Sequence, residues 1–280
     1  MLGKTKKNKG MRNLGVYILL ILMTFVFAGP MLFTVLSSFK ENNEIFGSPF
    51  RLPEVFRFEN YQIAWQEAHM SQYFLNSLLI SLATVAVVIV VASMAAYVLS
   101  RFEFKVNRFL STFFLLGMMV PMHTILVPVA YLVGRLGLKN NLLALVLIYV
   151  AFALPFSILV LTRFMKGINQ SLEEAAIIDG ASYFQVYAKV IMPLSVPAIS
   201  TVSIFNFLGA WNNILFPLLF INNDKLKPIS LGLLNFNGER GSEYGPLMAA
   251  IVITVMVPLG IYLLFQEKVE GGLAAGAVKE

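Results

Sequence analysis

Charged residues vanish from six long stretches of this chain and crowd into the segments between them. No Asp, Glu, Lys or Arg occurs in 13–39, 70–100, 109–134, 140–162, 190–223 or 244–266, and the shortest of these windows holds 23 residues. The next longest charge-free stretch, 228–238, has only 11. An α-helix needs about 20 apolar residues to cross the hydrocarbon layer of a bilayer. The pattern therefore predicts an all-α integral membrane protein with six transmembrane helices. Its layout is an N-terminal segment 1–12, a first span 13–39, a loop 40–72, a five-helix core 73–266 and a tail 267–280. Between the fourth and fifth windows, within 165–196, the chain turns polar.

That polar segment contains Glu174-Ala175-Ala176, then Gly180, and ends on Val190, Met192 and Pro193. Its residues predict two short helices joined at a hard bend. Ser171 and Glu174 have capping-box spacing, and Ser182 and Gln185 repeat it. Asp179-Gly180 is expected to close the first helix, because glycine takes the left-handed conformation without a Cβ penalty. The second helix is expected to stop before Pro193. Ala175 and Ala176 leave a low surface against which another protein can pack closely. This is the pattern of a docking surface, and the bland alternative is an amphipathic connector between spans.

Composition agrees with the window count, since 58% of residues are hydrophobic, 13% are charged and the mean hydropathy is +0.76. Counting Lys and Arg on alternate loops places 13 on the side that holds both termini and the Glu174 segment, and 8 on the other. By the positive-inside rule the richer side is expected to be cytoplasmic. The net charge of +6 then needs no nucleic-acid partner, because the excess meets anionic lipid at the bilayer edges. The first window follows a basic N-terminus as a secretion signal would. Its apolar run continues past Pro30 to Leu36, which favours an uncleaved anchor.

Candidate chemistry is sparse. Zero cysteines exclude disulfides and thiolate ligation, and only His69 and His123 supply imidazole. Gly3-Lys4-Thr5 imitates the end of a phosphate loop, but only two residues precede Gly3. No metal site, cofactor or catalytic group is expected in this chain. The absence of charge at membrane depth also argues against an ion-coupled carrier, which usually keeps ionisable groups there, while sodium sites built from backbone carbonyls stay open. Energy supplied through a partner needs none.

Along the spans, Ala92 and Ala96 have the spacing that lets helices approach closely in lipid. Pro121, Pro128, Pro155 and Pro258 each remove a backbone donor and predict kinks unless neighbours compensate. Ser203, Asn206, Ala210 and Asn213 recur at helical spacing, giving the fifth span one small, polar face. That face is the candidate substrate pathway: Ser203, Asn206, Trp211, Asn212 and Asn213. The amides suit hydroxyls of a neutral sugar and Trp211 suits a sugar ring, while helix bridging by asparagine and packing by tryptophan are the alternatives.

The Glu174–Pro193 pattern resembles the cytoplasmic motif of the membrane subunits of ATP-binding-cassette importers. Further stretches resemble the smaller membrane subunit of carbohydrate importers of the maltose-transporter type: Pro53, Asn60 and Tyr61 in 50–65, NSLLISL at 76–82, AAYVLSRFEF at 95–104, Trp211-Asn212-Asn213, and GGLAAGAVKE at 271–280. Relatives commonly carry an acid where Asn213 stands, and Ile and Leu where Val190 and Met192 stand.

The resemblance implies a type I importer permease fold with cytoplasmic coupling helices, residing in the cell membrane. It implies a second permease subunit, a dimeric ATPase that binds ATP and magnesium, and an extracytoplasmic sugar-binding protein docking on loops 40–72 and 220–245. Glu174, Ala175, Ala176, Asp179, Gly180 and Pro193 would engage the ATPase, with Gly276 and Lys279 of the tail near that interface. This chain would form half of the pathway. An importer of peptides or amino acids shares the cytoplasmic motif, and a membrane scaffold shares the spans, so both remain open.

Overall fold

The computed structural model describes residues 4–237 and 243–277, and among these every regular element is helical. Ten helices carry the architecture: α1 Lys4–Ser37, α2 Met70–Arg101, α3 Asn107–Met119, α4 Leu126–Arg135, α5 Leu142–Lys166, α6 Ser171–Ile178, α7 Tyr183–Leu194, α8 Val196–Trp211, α9 Leu215–Phe220 and α10 Tyr244–Ala277. Four segments are long and apolar enough to cross a bilayer: Leu14–Ser37, Met70–Arg101, Leu142–Lys166 and Tyr244–Gln266. The remaining two predicted spans are bent pairs, so the count reaches six when each pair makes one crossing.

The first bend falls at Pro121, where a kink is predicted, and the second interrupts the fifth window. The third window is not one helix: Asn107–Met119 and Met122–Arg135 meet at 89°. Pro121 excludes helical geometry from the residue before it, and Val120 is accordingly extended at φ −74, ψ 113. Pro128, by contrast, falls in the first turn of α4, where a missing donor costs nothing. The fifth window is also interrupted. A 75° bend at Ser195 separates α7 from α8, and α8 ends at Trp211 before the short α9. Helices α5 and α10 run on through Pro155 and Pro258.

The chain divides into two compact units, Met1–Met70 with Leu233–Val255, and Ser71–Gly232 with Met256–Glu280. In the first, α1 presents Leu14 through Phe27 almost wholly outward, with Phe25 at 73% exposure, as a helix solvated by lipid does. The chain leaving α1 is tied down by buried polar groups. Lys40 Nζ donates to the carbonyls of Ser48 and Pro49 at 2.9 and 2.9 Å, and Asn60 Nδ2 donates to those of Ser38 and Lys40 at 3.0 and 3.0 Å. Gly245 sits hard against this knot, since a Cβ there would lie 2.6 Å from both Asn60 Nδ2 and the Lys40 carbonyl. Asn60→Leu is expected to strand two carbonyls and destabilise the unit by about 1–3 kcal/mol, read as a lower unfolding temperature in detergent.

In the second unit, Ala92 and Ala96 are fully buried and let α2 pack closely, as their spacing predicts. One apolar cluster joins Val88, Ala92, Ala96 and Tyr97 of α2 to Ile158, Leu161 and Met165 of α5 and to Val186, Ile191, Ala198 and Val202. Another gathers Ile80, Leu145, Tyr149, Phe216 and Phe220. Gly117 of α3 lets Pro155 of α5 approach, with 3.2 Å from a would-be Cβ to the ring.

Candidate functional site

The polar segment folds as a bent knuckle, α6 followed by α7. Helix α6 closes on Gly180 at φ +87, with Gly180 N–H bonding the Ile177 carbonyl and Ala181 N–H the Ala176 carbonyl, each at 2.9 Å. This paired arrangement is the glycine-terminated helix end that Asp179-Gly180 predicts. Ser182 and Gln185 form the reciprocal cap, Gln185 N–H to Ser182 Oγ at 3.3 Å and Ser182 N–H to Gln185 Oε1 at 2.8 Å.

The expected Ser171 cap does not form. Ser171 is already the first helical residue and Gln170 precedes it as a cap without a side-chain bond. The Glu174 N–H that a Ser171 cap would take bonds the Gln170 carbonyl at 3.0 Å instead, and Asn169 Oδ1 accepts from the Ser171 N–H at 3.1 Å. Nor does the second helix stop before Pro193. It passes through a wider π-turn at Tyr187–Ile191, which absorbs the missing donor, and breaks only at Ser195.

Outward and inward faces of α6 differ. Glu174, Ala175, Asp179 and Gly180 are exposed, and with them Ile178 at 84%, Phe184 at 67% and Tyr183 at 60%. This face therefore sets exposed apolar side chains, Ile178, Tyr183 and Phe184, beside the polar Glu174 and Asp179. Ala176 does not belong to it: one hundred degrees of helical rotation from Ala175 turns it inward, half-buried on the chain's own core. Glu173 shares that inward face and forms a buried ion pair with Arg101, at the end of α2. Arg101 also donates to the Ile168 carbonyl at 3.1 Å. Beneath α7, Tyr187 meets Ser93 Oγ through its hydroxyl at 2.7 Å and packs on Tyr97, while Phe102 packs edge-on against Tyr183. In the sequence Arg101 stands out through the charge count and the AAYVLSRFEF stretch, whereas Glu173 is marked by little more than its i, i+3 relation to Ala176.

A cavity of about 390 Å³ opens elsewhere in the same unit. Thr84 of α2, Met122, Tyr149, Phe152 and Phe156 of α5, Phe205, Asn206 and Ala210 of α8, and Asn213 line it. Of the predicted pathway residues, Asn206 and Asn213 are here. Asn206 Nδ2 donates to Ser157 Oγ at 2.9 Å, and Asn213 Oδ1 accepts from Phe216 N–H at 3.3 Å. The others lie apart. Ser203 Oγ bonds back to the Ile199 carbonyl at 2.6 Å, and Asn212 is exposed at the end of α8. Trp211 is 1% exposed, stacked on Phe207 at 5.7 Å and edge-on to Phe74 at 5.4 Å, so it works as packing. The cavity's aromatic members gave no signal in the sequence, since a phenylalanine in an apolar window looks the same on either face.

No charged side chain lines this cavity. The hydroxyls of Thr84 and Tyr149 are buried without a protein partner among the described residues. Among the described residues no cluster of metal-ligating side chains occurs. Gly276 falls near the end of α10, and Lys279 lies outside the described residues, as do 238–242 of the expected outer docking loop.

Comparison with known proteins gives a consistent picture. Residues 88–273 match the family described as the inner membrane component of binding-protein-dependent transport systems. The chain is 39% identical over 264 residues to a diacetylchitobiose uptake system permease protein of Streptomyces coelicolor, covering 93% of this chain and 87% of that one. It is 34% identical to a trehalose/maltose transport system permease protein of Thermococcus litoralis, covering 92% and 94%. A multiple sugar-binding transport system permease protein of Streptococcus mutans is 31% identical, with 98% and 100% covered. Among solved structures, a subunit of a bacterial transporter that imports the acidic polysaccharide alginate superposes with a TM-score of 0.82 at 20% identity, covering 96% of this chain and 98% of that one. That likeness speaks for the fold.

Proposed function

Since this chain belongs to the family of inner membrane components of binding-protein-dependent transport systems, we propose that it forms half of a pathway for a neutral sugar or oligosaccharide. The carrying observation is the cavity. Three phenylalanines, a tyrosine and two asparagines line it without a charge. A pyranose presents the matching chemistry, with apolar C–H faces for the rings and hydroxyls for the amides. The sugar relatives named above support the same class.

The energy enters elsewhere. A separate ATPase, holding ATP and magnesium, docks on the exposed face of Glu174, Ala175, Ile178 and Phe184, with the cytoplasm on that side and both termini there. A second permease subunit supplies the other half of the pathway, and an extracytoplasmic binding protein delivers the sugar.

Cells expressing the chain with its neighbouring subunits should take up radiolabelled neutral oligosaccharides and neither peptides nor amino acids. Uptake of peptides alone overturns the sugar reading. Asn206→Leu should lower sugar uptake about two- to tenfold at unchanged membrane abundance, the worth of one hydrogen bond to the ligand.

A further inference from the structure

We propose that Arg101 and Glu173 are positioning residues for transport: their buried pair, and not the exposed Glu174, carries the knuckle's movement into the spans. The proposal rests on the reading of the chain as a permease driven by a separate ATPase. Three elements converge on one guanidinium. Arg101 ends α2, it donates to the carbonyl of Ile168 in the turn after α5, and it pairs with Glu173 in the first turn of α6. Its side chain is 6% exposed and that of Glu173 10%. A guanidinium holds its donors in a fixed planar fork, so the three elements are held in orientation as well as in distance.

Burial makes the tie firm. Separating the two charges would leave each in a poorly solvated site, so the pair moves as a unit when α6 is pushed. On the apolar core, α6 and its end also rest through Ala176 and Ala181, small groups that can slide. Helix α7 has its own tether, the Tyr187 hydroxyl on Ser93 of α2. Glu174 has no ion pair among the described residues and faces outward, which fits it for the partner and not for the chain's own spans.

The chain has no cysteine, so a single reporter can be placed cleanly. A Cβ added at Gly209, in the cavity wall, meets nothing within 4 Å. In the assembled complex in lipid vesicles, the rate at which a water-soluble maleimide modifies the Gly209→Cys chain is measured with and without ATP. Adding Glu173→Gln, which keeps the shape and removes the charge, should shrink the ATP-dependent rate change at least about fivefold while the ATPase still co-purifies in full. Arg101→Lys, which keeps charge and loses the fork, should give an intermediate change. An undiminished response in Glu173→Gln overturns the proposal, and so does loss of the ATPase from both variants, which marks a purely structural contact. A reporter that never responds to ATP in the otherwise unaltered chain rejects the ATP-driven reading itself, and the coupling role with it.

Discussion

Gly180→Pro is expected to abolish uptake while leaving the chain in the membrane. The glycine sits at φ +87, whereas proline is locked near −65°, so the ring cannot be accommodated without redirecting the chain. Proline also deletes the N–H that bonds Ile177, and the neighbouring Ala181 bond to Ala176 depends on the same left-handed turn. No atom lies within 4 Å of a Cβ built there, so a Cβ itself meets no neighbour and the effect comes from backbone strain together with the lost hydrogen bond. Such strain is worth about 1–3 kcal/mol, enough to reorient an exposed knuckle and too little to unfold the spans. Gly180→Ala, which fits the space and pays only the left-handed penalty of about 1–2 kcal/mol, should fall between. Uptake normalised to membrane-embedded protein, read by immunoblot, decides the matter. Normal transport by the proline variant would remove the knuckle from the mechanism.

Gly232→Ala should act on folding instead. A methyl group at that position would overlap the ring of Tyr73, which is 2% exposed and held on all sides. Overpacking of this kind costs about 1–3 kcal/mol, and each kcal/mol lowers the unfolding temperature of a chain this size by about 2–4 °C. Thermal unfolding in detergent measures it directly. The pair is also a test of cause: adding Tyr73→Ala to Gly232→Ala should destabilise less than the two changes summed, because the second removes the obstacle the first meets. Strict additivity would show that the ring is not what excludes the methyl.

Much of the architecture was legible because it rests on local or one-dimensional quantities. The thickness of a bilayer converts directly into a count of uncharged residues, and the six windows correspond to four long helices and two bent pairs. Gly180 and the Ser182–Gln185 cap are legible for a similar reason, since each involves donors and acceptors within a few residues. Ser171 is not the cap because the helix begins on it and the Glu174 N–H goes to the Gln170 carbonyl, a choice that spacing alone does not rank. Of the candidate pathway, Asn206 and Asn213, which share the polar face, line the cavity, whereas Trp211, one residue off that face, turns into the core.

By itself, then, the sequence determined that this is a helical membrane protein, and where its polar knuckle bends. Tertiary structure alone decided which face of each helix is the inside. Glu173 and Glu174 are adjacent and chemically identical, yet one is buried against Arg101 and the other is exposed, because a helix turns each successive side chain by about 100° and only a packed neighbour makes one direction interior. The same holds for the cavity, whose Thr84, Tyr149 and Phe205 come from helices far apart in the chain and acquire a common purpose only once those helices are packed.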